Sequence, residues 1–198
     1  MTIACLTAVF TTMSVKTKAA FIDRDGVINE ERSYVHRIED FVLLPGVVQG
    51  LALLREANFR LIVVTNQAGI ARGYYDQSAM DRLHEHLHEQ LAKHGVRLDA
   101  VYFCPHHPDG CVKQLAVQCD CRKPSPGMLL QAAKDFNLNL ATSVLIGDKL
   151  SDVQAGKRAG VGRIVIVESG HYVESGARIE ADEVAADLLA AARLLTTP

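Results

Sequence analysis

Two aspartates, Asp23 and Asp25, stand two residues apart directly after the apolar run at residues 19–22. Such a run predicts a buried strand, and strand ends hold the functional residues of open α/β sheets. Two carboxylates this close repel each other unless a cation or a shared proton relieves them, so the pair indicates a site for a hard metal ion. An acidic turn around Gly26 is the plainer alternative. A calcium loop is disfavoured, because apolar residues at 27–28 stand where further oxygen ligands would follow.

Three further segments carry polar or charged side chains in related positions. Thr65 follows the β-branched run at residues 61–64, and Asp148 follows a third short run at residues 143–146. Lys123 lies between them in a proline-containing loop. Each segment alone is common in turns and solvated loops. All four in this order, three of them at predicted strand ends, favour one shared site.

In these four segments the chain resembles the haloacid dehalogenase-like phosphohydrolases, and the resemblance covers most of the sequence. It implies that Asp23 is the nucleophile that forms an aspartyl-phosphate, with Asp25 as general acid and then general base. It implies a Mg²⁺ ion held by Asp23, Asp148 and the main-chain carbonyl of Asp25. Thr65 and Lys123 would then bind the equatorial oxygens of the reacting phosphoryl group.

A second cluster pairs Cys104 with His106 and, after twelve intervening residues, Cys119 with Cys121. Four such ligands suit tetrahedral Zn²⁺, and a full ligand set predicts a structural site. A disulfide and unpaired thiols are the alternatives. They are disfavoured because no export signal is evident and thiols stay reduced in the cytosol. His107 competes with His106 as the ligand, but the Cys-x-His spacing favours His106.

The loop at residues 104–121 is polar and rich in proline and glycine, so zinc is predicted to supply its core. This zinc pattern, fused to the lysine loop, resembles the small capless phosphatases that remove the 7-phosphate of D-glycero-D-manno-heptose 1,7-bisphosphate, in the synthesis of ADP- or GDP-heptose for the lipopolysaccharide core. Histidinol-phosphate phosphatases, which share the zinc pairs, and other small sugar-phosphate phosphatases are the alternatives. The substrate-binding residues that the resemblance implies are Glu31, Arg32, Ser33, Tyr34, Thr65, Asn66, Gln67, Ala68, Arg122, Lys123 and Lys149.

The elements that must position these residues alternate along the chain, which predicts a doubly wound, mainly parallel, Rossmann-like α/β sheet. Strands are predicted at 19–23, 60–65, 99–103, 143–147 and 163–167, and helices at about 46–57, 77–93, from 126, 150–159 and 180–194. Ser125 and Pro126 read as the N-cap and first position of the helix from 126. Neither residues 23–65 nor 65–123 leave room for a cap domain. We therefore expect an open site, narrowed by the zinc loop and residues 30–40.

A rival class of function comes from the string at residues 84–88, which matches the His-Glu-x-x-His pattern of zinc metalloproteases. His84 and His88 flank the buried stripe of a predicted amphipathic helix, where we expect them in solvent. A third ligand is not evident, which disfavours the protease. A catalytically inactive phosphate-binding module is disfavoured because both Asp23 and Asp25 are present.

Composition restricts the remaining classes of function. With 198 residues, of which 48% are hydrophobic, the chain is long enough for one domain with a full core. A net charge of −2 without a basic cluster argues against nucleic-acid binding, and no apolar run reaches membrane-spanning length. We expect a cytoplasmic monomer whose partner is a small sugar bisphosphate. Residues 1–18 are expected to be a disordered extension before a domain at 19–198, with Met13 as the natural start.

Overall fold

The architecture is one six-stranded parallel sheet covered by helices on both faces. The computed structural model describes residues 16–170 and 172–197. The strands are β1 (Lys18–Ile22), β2 (Phe59–Asn66), β3 (Ala100–Cys104), β4 (Val144–Gly147), β5 (Arg163–Val167) and β6 (Glu183–Ala185). Their spatial order is β3-β2-β1-β4-β5-β6, and every pair is parallel. The predicted doubly wound α/β sheet is confirmed.

In the described residues, five helices connect successive strands and a sixth follows β6. They are α1 (Val47–Glu56), α2 (Gln77–Ala92), α3 (Gly127–Asp135), α4 (Leu150–Ala159), α5 (Ser175–Glu180) and α6 (Leu188–Thr196). Short 3₁₀ turns occupy Ile38–Asp40 and Leu140–Thr142. The segments between β1 and β2 and between β2 and Lys123 consist entirely of these elements and their connecting loops. No residues are left there for a cap domain over the sheet.

The central strand β1 shows how the sequence divides the core between the two faces. Alternate side chains of a strand point to opposite faces. Ala20 and Ile22 join the hydrophobic cluster that contains α1, α2 and α6, whereas Ala19 and Phe21 join the cluster that contains α3 and α4. A strand buried on both faces must be apolar throughout, which is why residues 19–22 form an unbroken apolar run.

The C-terminal region differs from its prediction, because the single helix expected at 180–194 is wrong. The chain instead forms α5, the short edge strand β6, and α6. The Asp182 carboxylate accepts a hydrogen bond from the Ile164 N–H at 2.7 Å, directly before β6 pairs with β5. The Asp187 carboxylate accepts one from the Ala190 N–H at 2.8 Å, which starts α6 as an N-cap.

Two smaller boundaries also differ. Pro126 occupies the N-cap position of α3 without a side-chain hydrogen bond, so Ser125 is not the N-cap. The predicted boundary after residue 18 falls inside β1, and the Thr17 carbonyl accepts a hydrogen bond from the Asn139 N–H at 2.8 Å. The rest of the predicted extension that precedes residue 16, including Met13, lies outside the described residues. Within 16–170 and 172–197, no helix is long and apolar enough to cross a membrane.

Candidate active site

The carboxyl ends of three adjacent strands bring the predicted acids together. Asp23 follows β1, Thr65 lies at the end of β2, and Asp148 follows β4. The main chain at Asp23 is still hydrogen-bonded to the sheet, since the Asp23 N–H donates to the Ile146 carbonyl of β4 at 2.9 Å. Carboxylate oxygens of Asp23, Asp148 and Asp152 lie within 4.8 Å of one another, and all three residues are buried.

The electrostatics of this acid cluster favour a divalent cation. Burial raises the pKa of Asp23, and Asp152 and Asp25 raise it further, against the opposing charge of Lys123. Burial, together with the charge of Asp23, raises the pKa of Asp148 to about 8. Crowded carboxylates ionise together only when positive charge compensates them. A buried set of oxygen donors therefore fits Mg²⁺, which prefers carboxylate ligands.

Lys123 is a buried cation in contact with the acid cluster. Its Nζ lies 3.0 Å from Asp23 Oδ1 and 2.5 Å from Asp152 Oδ1, and it donates to the Val64 carbonyl at 2.8 Å. The amide of Asn66 holds the main chain of Lys123 through two hydrogen bonds, of 2.9 and 3.0 Å. Asn66 thus positions the main chain of Lys123, and both polar atoms of its side-chain amide are engaged in doing so.

Asp152 is a site residue that the sequence analysis missed. Its Oδ2 accepts hydrogen bonds from the N–H groups of Asp148 at 3.2 Å and Lys149 at 3.0 Å, while Oδ1 faces Lys123. Both oxygens are therefore occupied, and the side chain orients the loop that carries Asp148. The signal was its spacing of four residues after Asp148, in the first turn of α4.

Asp25 is held by a network of donors. The buried Arg24 guanidinium donates to its Oδ1 at 2.6 Å and its Oδ2 at 2.8 Å, and the amides of Asn29 and Gln67 donate at 3.0 and 2.9 Å. Burial alone would raise the pKa of Asp25, but the Arg24 charge and these hydrogen bonds outweigh it and lower the pKa. Gln67 also donates to the Thr65 hydroxyl oxygen at 2.9 Å, which links the two predicted residues.

Arg24 also contacts α2, and this contact explains why the prediction for His84 is wrong. Its Nη1 donates to Met80 Sδ at 2.9 Å and lies 3.3 Å from His84 Nε2. The expectation that His84 lies in solvent is wrong, since the side chain is 7% exposed. Burial and the Arg24 charge lower the pKa of His84 to about 3, which leaves a neutral acceptor. Among the described residues, neither His84 nor His88 belongs to a group of three metal ligands, which removes the basis of the protease alternative.

An open cavity of about 540 Å³ lies over these groups. It is lined by Asp23, Asp25, Glu31, Ser33, Tyr34, Thr65, Asn66, Gln67, Ala68, Arg72, Tyr75, His107, Arg122, Lys123, Lys149 and Ser151. Arg32, predicted to bind substrate, is not among them; its guanidinium pairs with Glu30 at 2.5 Å on the surface. Arg72, Tyr75, His107 and Ser151 were not predicted.

One wall of the cavity comes from the segment around Ser33. Ser33 and Tyr34 have φ values of 56° and 62°, an unusual pair of left-handed residues that are not glycine. The Ser33 N–H donates to Glu31 Oε1 at 2.9 Å, and Glu31 Oε2 pairs with Lys149 Nζ at 3.2 Å. These contacts tie the wall to the loop after β4, so four predicted substrate-binding residues, Glu31, Ser33, Tyr34 and Lys149, line the same cavity.

The metal loop, residues 104–121, holds the second cluster. Cys104 Sγ lies 3.5 Å from Cys119 Sγ and 3.2 Å from Cys121 Sγ, and His106 Nδ1 lies 3.4 Å from Cys121 Sγ. All three cysteines are free thiols. Zinc–sulfur bonds of about 2.3 Å need sulfur atoms somewhat under ~4 Å apart, so the four side chains could hold a tetrahedral metal ion. His107 is outside this cluster.

The fold and the acid site define a haloacid dehalogenase-like hydrolase. The family model described as HAD-hydrolase-like matches residues 120–191. The chain is 47% identical to D-glycero-alpha-D-manno-heptose-1,7-bisphosphate 7-phosphatase of Photorhabdus laumondii, over 79% of this chain and 85% of the relative. It is 44% identical to D-glycero-beta-D-manno-heptose-1,7-bisphosphate 7-phosphatase of Yersinia pestis, over 87% of this chain and 92% of the relative.

A solved structure agrees with these relatives. The crystal structure of D,D-heptose 1,7-bisphosphate phosphatase from B. bronchiseptica, complexed with magnesium and phosphate, has a TM-score of 0.77. It is 34% identical in sequence, and the match covers 90% of this chain and 97% of that one. The chain belongs to the heptose-1,7-bisphosphate 7-phosphatase family of the HAD-like hydrolases.

Proposed function

We propose that the chain is a Mg²⁺-dependent phosphatase that removes the 7-phosphate of D-glycero-D-manno-heptose 1,7-bisphosphate. The observation that carries the proposal is a buried carboxylate, Asp23, in contact with the buried Lys123 beside Asp148, on the floor of an open cavity. The names of the relatives support the substrate. The site is complete within one chain, which supports a monomer, and its free thiols support a cytoplasmic enzyme.

Asp23 is the proposed nucleophile. Its Oδ1 accepts the Arg24 N–H at 2.7 Å and faces Lys123 at 3.0 Å, so two donors fix the orientation of the carboxylate. A carboxylate oxygen attacks phosphorus in line, the bond from phosphorus to the sugar oxygen breaks, and an aspartyl-phosphate forms. Lys123 and the Thr65 hydroxyl face the equatorial oxygens, where negative charge is spread in the transition state.

Asp25 is the proposed general acid and base. When protonated it gives its proton to the departing sugar oxygen, and as the carboxylate it then takes a proton from the water that attacks the aspartyl-phosphate. The second step restores the proton used in the first, so the cycle balances. The donors around Asp25 favour its ionised form, and the arriving phosphate dianion shifts it back towards the protonated form.

Two of the proposed metal ligands belong to the acid cluster, and the third, a main-chain carbonyl, is implied by the family resemblance. Asp23, Asp148 and the main-chain carbonyl of Asp25 would hold Mg²⁺, which when bound neutralises the carboxylates and the phosphate oxygens. We also propose that Zn²⁺ is the metal of the metal loop, with a structural role, because its four ligands leave no open position.

A panel of phosphate esters tests the proposal through phosphate released in the presence of Mg²⁺. We expect the heptose bisphosphate to have a higher kcat/KM than its 7-monophosphate and than histidinol phosphate. Arg122 lines the cavity beside Lys123, where it would meet the second phosphate. Arg122→Ala should therefore lower kcat/KM for the bisphosphate about ten- to a hundredfold more than for the monophosphate. Equal losses, or a preference for histidinol phosphate, would overturn the assignment of substrate.

The covalent step has its own test. With a phosphate ester whose leaving group needs no general acid, such as p-nitrophenyl phosphate, the Asp25→Asn variant should still form the aspartyl-phosphate but hydrolyse it slowly, so that quenched protein carries the added mass of one phosphoryl group on the peptide that contains Asp23. Substitution of Asp23 by asparagine in the same protein should abolish the added mass. Phosphate on any other residue would contradict the mechanism.

A further inference from the structure

Arg72, which the sequence analysis did not assign, has an unusual position in the cavity wall. Its Nε–H is buried and has no hydrogen-bond partner. In the described part of the chain, neither Arg72 nor Arg122 forms an ion pair, although both line the cavity that holds the acids. A half-buried guanidinium without an acceptor is unfavourable unless a ligand supplies one.

His107 presents a second donor to the same space. Its Nδ1 accepts a hydrogen bond from the Asp109 N–H at 3.1 Å, so in the neutral ring the proton sits on Nε2. His107 Nε2 lies 3.3 Å from Arg72 Nη2. Two donors face each other there, and neither can satisfy the other.

The main chain holds these two donors in place. The Ala71 N–H donates to the Pro105 carbonyl at 3.2 Å, and the Ala71 carbonyl accepts the Val112 N–H at 3.0 Å. A Cβ on Gly110 would lie 2.7 Å from the Ala71 carbonyl oxygen, so only glycine permits this approach. The segment that carries Arg72 and the metal loop that carries His107 are therefore fixed against each other before any ligand arrives.

We propose that Arg72 and His107 determine substrate specificity by binding the non-reacting phosphate of the bisphosphate, beside Arg122. The inference rests on the proposed function. A phosphate oxygen placed between Arg72 Nη2 and His107 Nε2 accepts from both, which turns two opposed donors into two hydrogen bonds. The guanidinium adds charge and a planar fork that suits a phosphate. The metal loop thereby contributes to substrate recognition as well as to the fold.

Two variants separate this role from a structural one. Arg72→Gln keeps length and polarity but removes the charge. His107→Asn keeps an acceptor for the Asp109 N–H, as in an Asx turn, but does not reach Arg72. We expect Arg72→Gln to raise KM for the heptose bisphosphate about tenfold or more, and His107→Asn a few-fold, with kcat nearly unchanged. For the 7-monophosphate of the same sugar, both variants should match the wild type.

Product inhibition gives an independent measurement. Heptose 1-phosphate, the product, keeps the non-reacting phosphate and should inhibit the wild-type protein by occupying the same donors. Its inhibition constant should rise about tenfold in Arg72→Gln and less in Arg72→Lys, which keeps the charge but loses the fork. Arg193→Gln, an exposed arginine on α6 outside the cavity, is the matched control and should leave both constants unchanged.

The outcomes distinguish the inference from the function on which it rests. A wild-type chain that releases no phosphate from the heptose bisphosphate would overturn both. An active wild type whose Arg72→Gln and Arg72→Lys variants lose activity equally on bisphosphate and monophosphate would overturn the inference alone. Thermal unfolding and metal content are measured for each variant. A loss of activity that follows loss of metal or stability in every Arg72 and His107 variant also counts against the inference.

Discussion

The acid cluster and the metal loop are both candidate metal sites, yet the chain builds them in opposite ways. Asp23 follows β1, whereas Asp148 and Asp152 are four residues apart after β4, so the three acids meet only when β1 pairs with β4. The Cys and His ligands come from residues 104–121 alone. Strand pairing therefore brings the ligands of the first site together. In the second site, metal binding would itself order the segment that carries the ligands. Removing a ligand should cost catalysis in the first site and mainly stability in the second.

The largest effect should follow the loss of the nucleophile. Asp23→Asn should lower kcat by about a thousandfold or more, over ~4 kcal/mol of barrier, because an amide does not attack phosphorus. Its thermal unfolding temperature should stay near that of the wild type, since one of three crowded acids is neutralised and Lys123 keeps Asp152 as a partner. Activity within about tenfold of the wild type would contradict the covalent mechanism.

The opposite pattern is expected for the metal loop. Cys119→Ser should lower the free energy of unfolding by about 3 kcal/mol or more, because metal binding supplies the core of this segment. Loss of activity should be secondary, through displacement of Arg122 and Lys123. Metal analysis should find about one zinc per wild-type chain and much less in the variant. A chelator should remove Mg²⁺ and stop turnover before zinc is lost; simultaneous loss would remove the contrast between the sites.

The variant Asp152→Asn tests whether a change within the acid cluster affects catalysis as well as stability. An amide at this position contacts Lys123 without charge, so the lysine loses orientation. We expect kcat to fall about a hundredfold, the scale of a misplaced catalytic group, with a loss of about 1–3 kcal/mol in unfolding free energy. Steady-state kinetics and urea unfolding measure the two effects. A drop in stability without any change in kcat would give Asp152 a structural role only.

The smallest effect should be a change in the pH dependence of stability through His84. Folding lowers its pKa from 6.5 to about 3, so the unfolded chain binds a proton first as the pH falls. Stability present above pH ~6.5 is therefore lost towards acid pH, with a slope approaching about 1.4 kcal/mol per pH unit. His84→Gln should flatten this slope between pH 6 and 5 in urea unfolding, while the slopes coincide at about pH 7–8. An unchanged slope in the variant would contradict the buried neutral histidine.

Burial explains which strands could be predicted from the sequence. Strands β1, β2, β4 and β5 were predicted because a strand buried on both faces is apolar along its whole length. The edge strand β6 has three residues, too few for a pattern, and its pairing with β5 is not a local property. Asp187, a side-chain N-cap, was the available signal that a new helix begins.

For the candidate site, the residues that could be predicted are those whose type suggests chemistry. Arg24 was missed as a site residue because its burial depends on contacts with Met80, His84 and the Val35 carbonyl, which only tertiary structure brings together. Arg72 and His107 were missed for the same reason, since their proximity arises from contact between two loops. Asp152 was different, because its spacing from Asp148 was visible in the sequence.

Hydrogen bonds hold the main chain at both ends of the metal loop, so a change in the length of the loop must be absorbed between these attachments. Cys104 belongs to β3, and the main chain just beyond the loop is held by Asn66. His107 and Leu115 are joined by a main-chain hydrogen bond of 3.1 Å. Insertions or deletions are therefore tolerated best at residues 117–118, which are exposed and lie outside these attachments. A change of length at these two residues would leave both the lysine and the metal ligands in place.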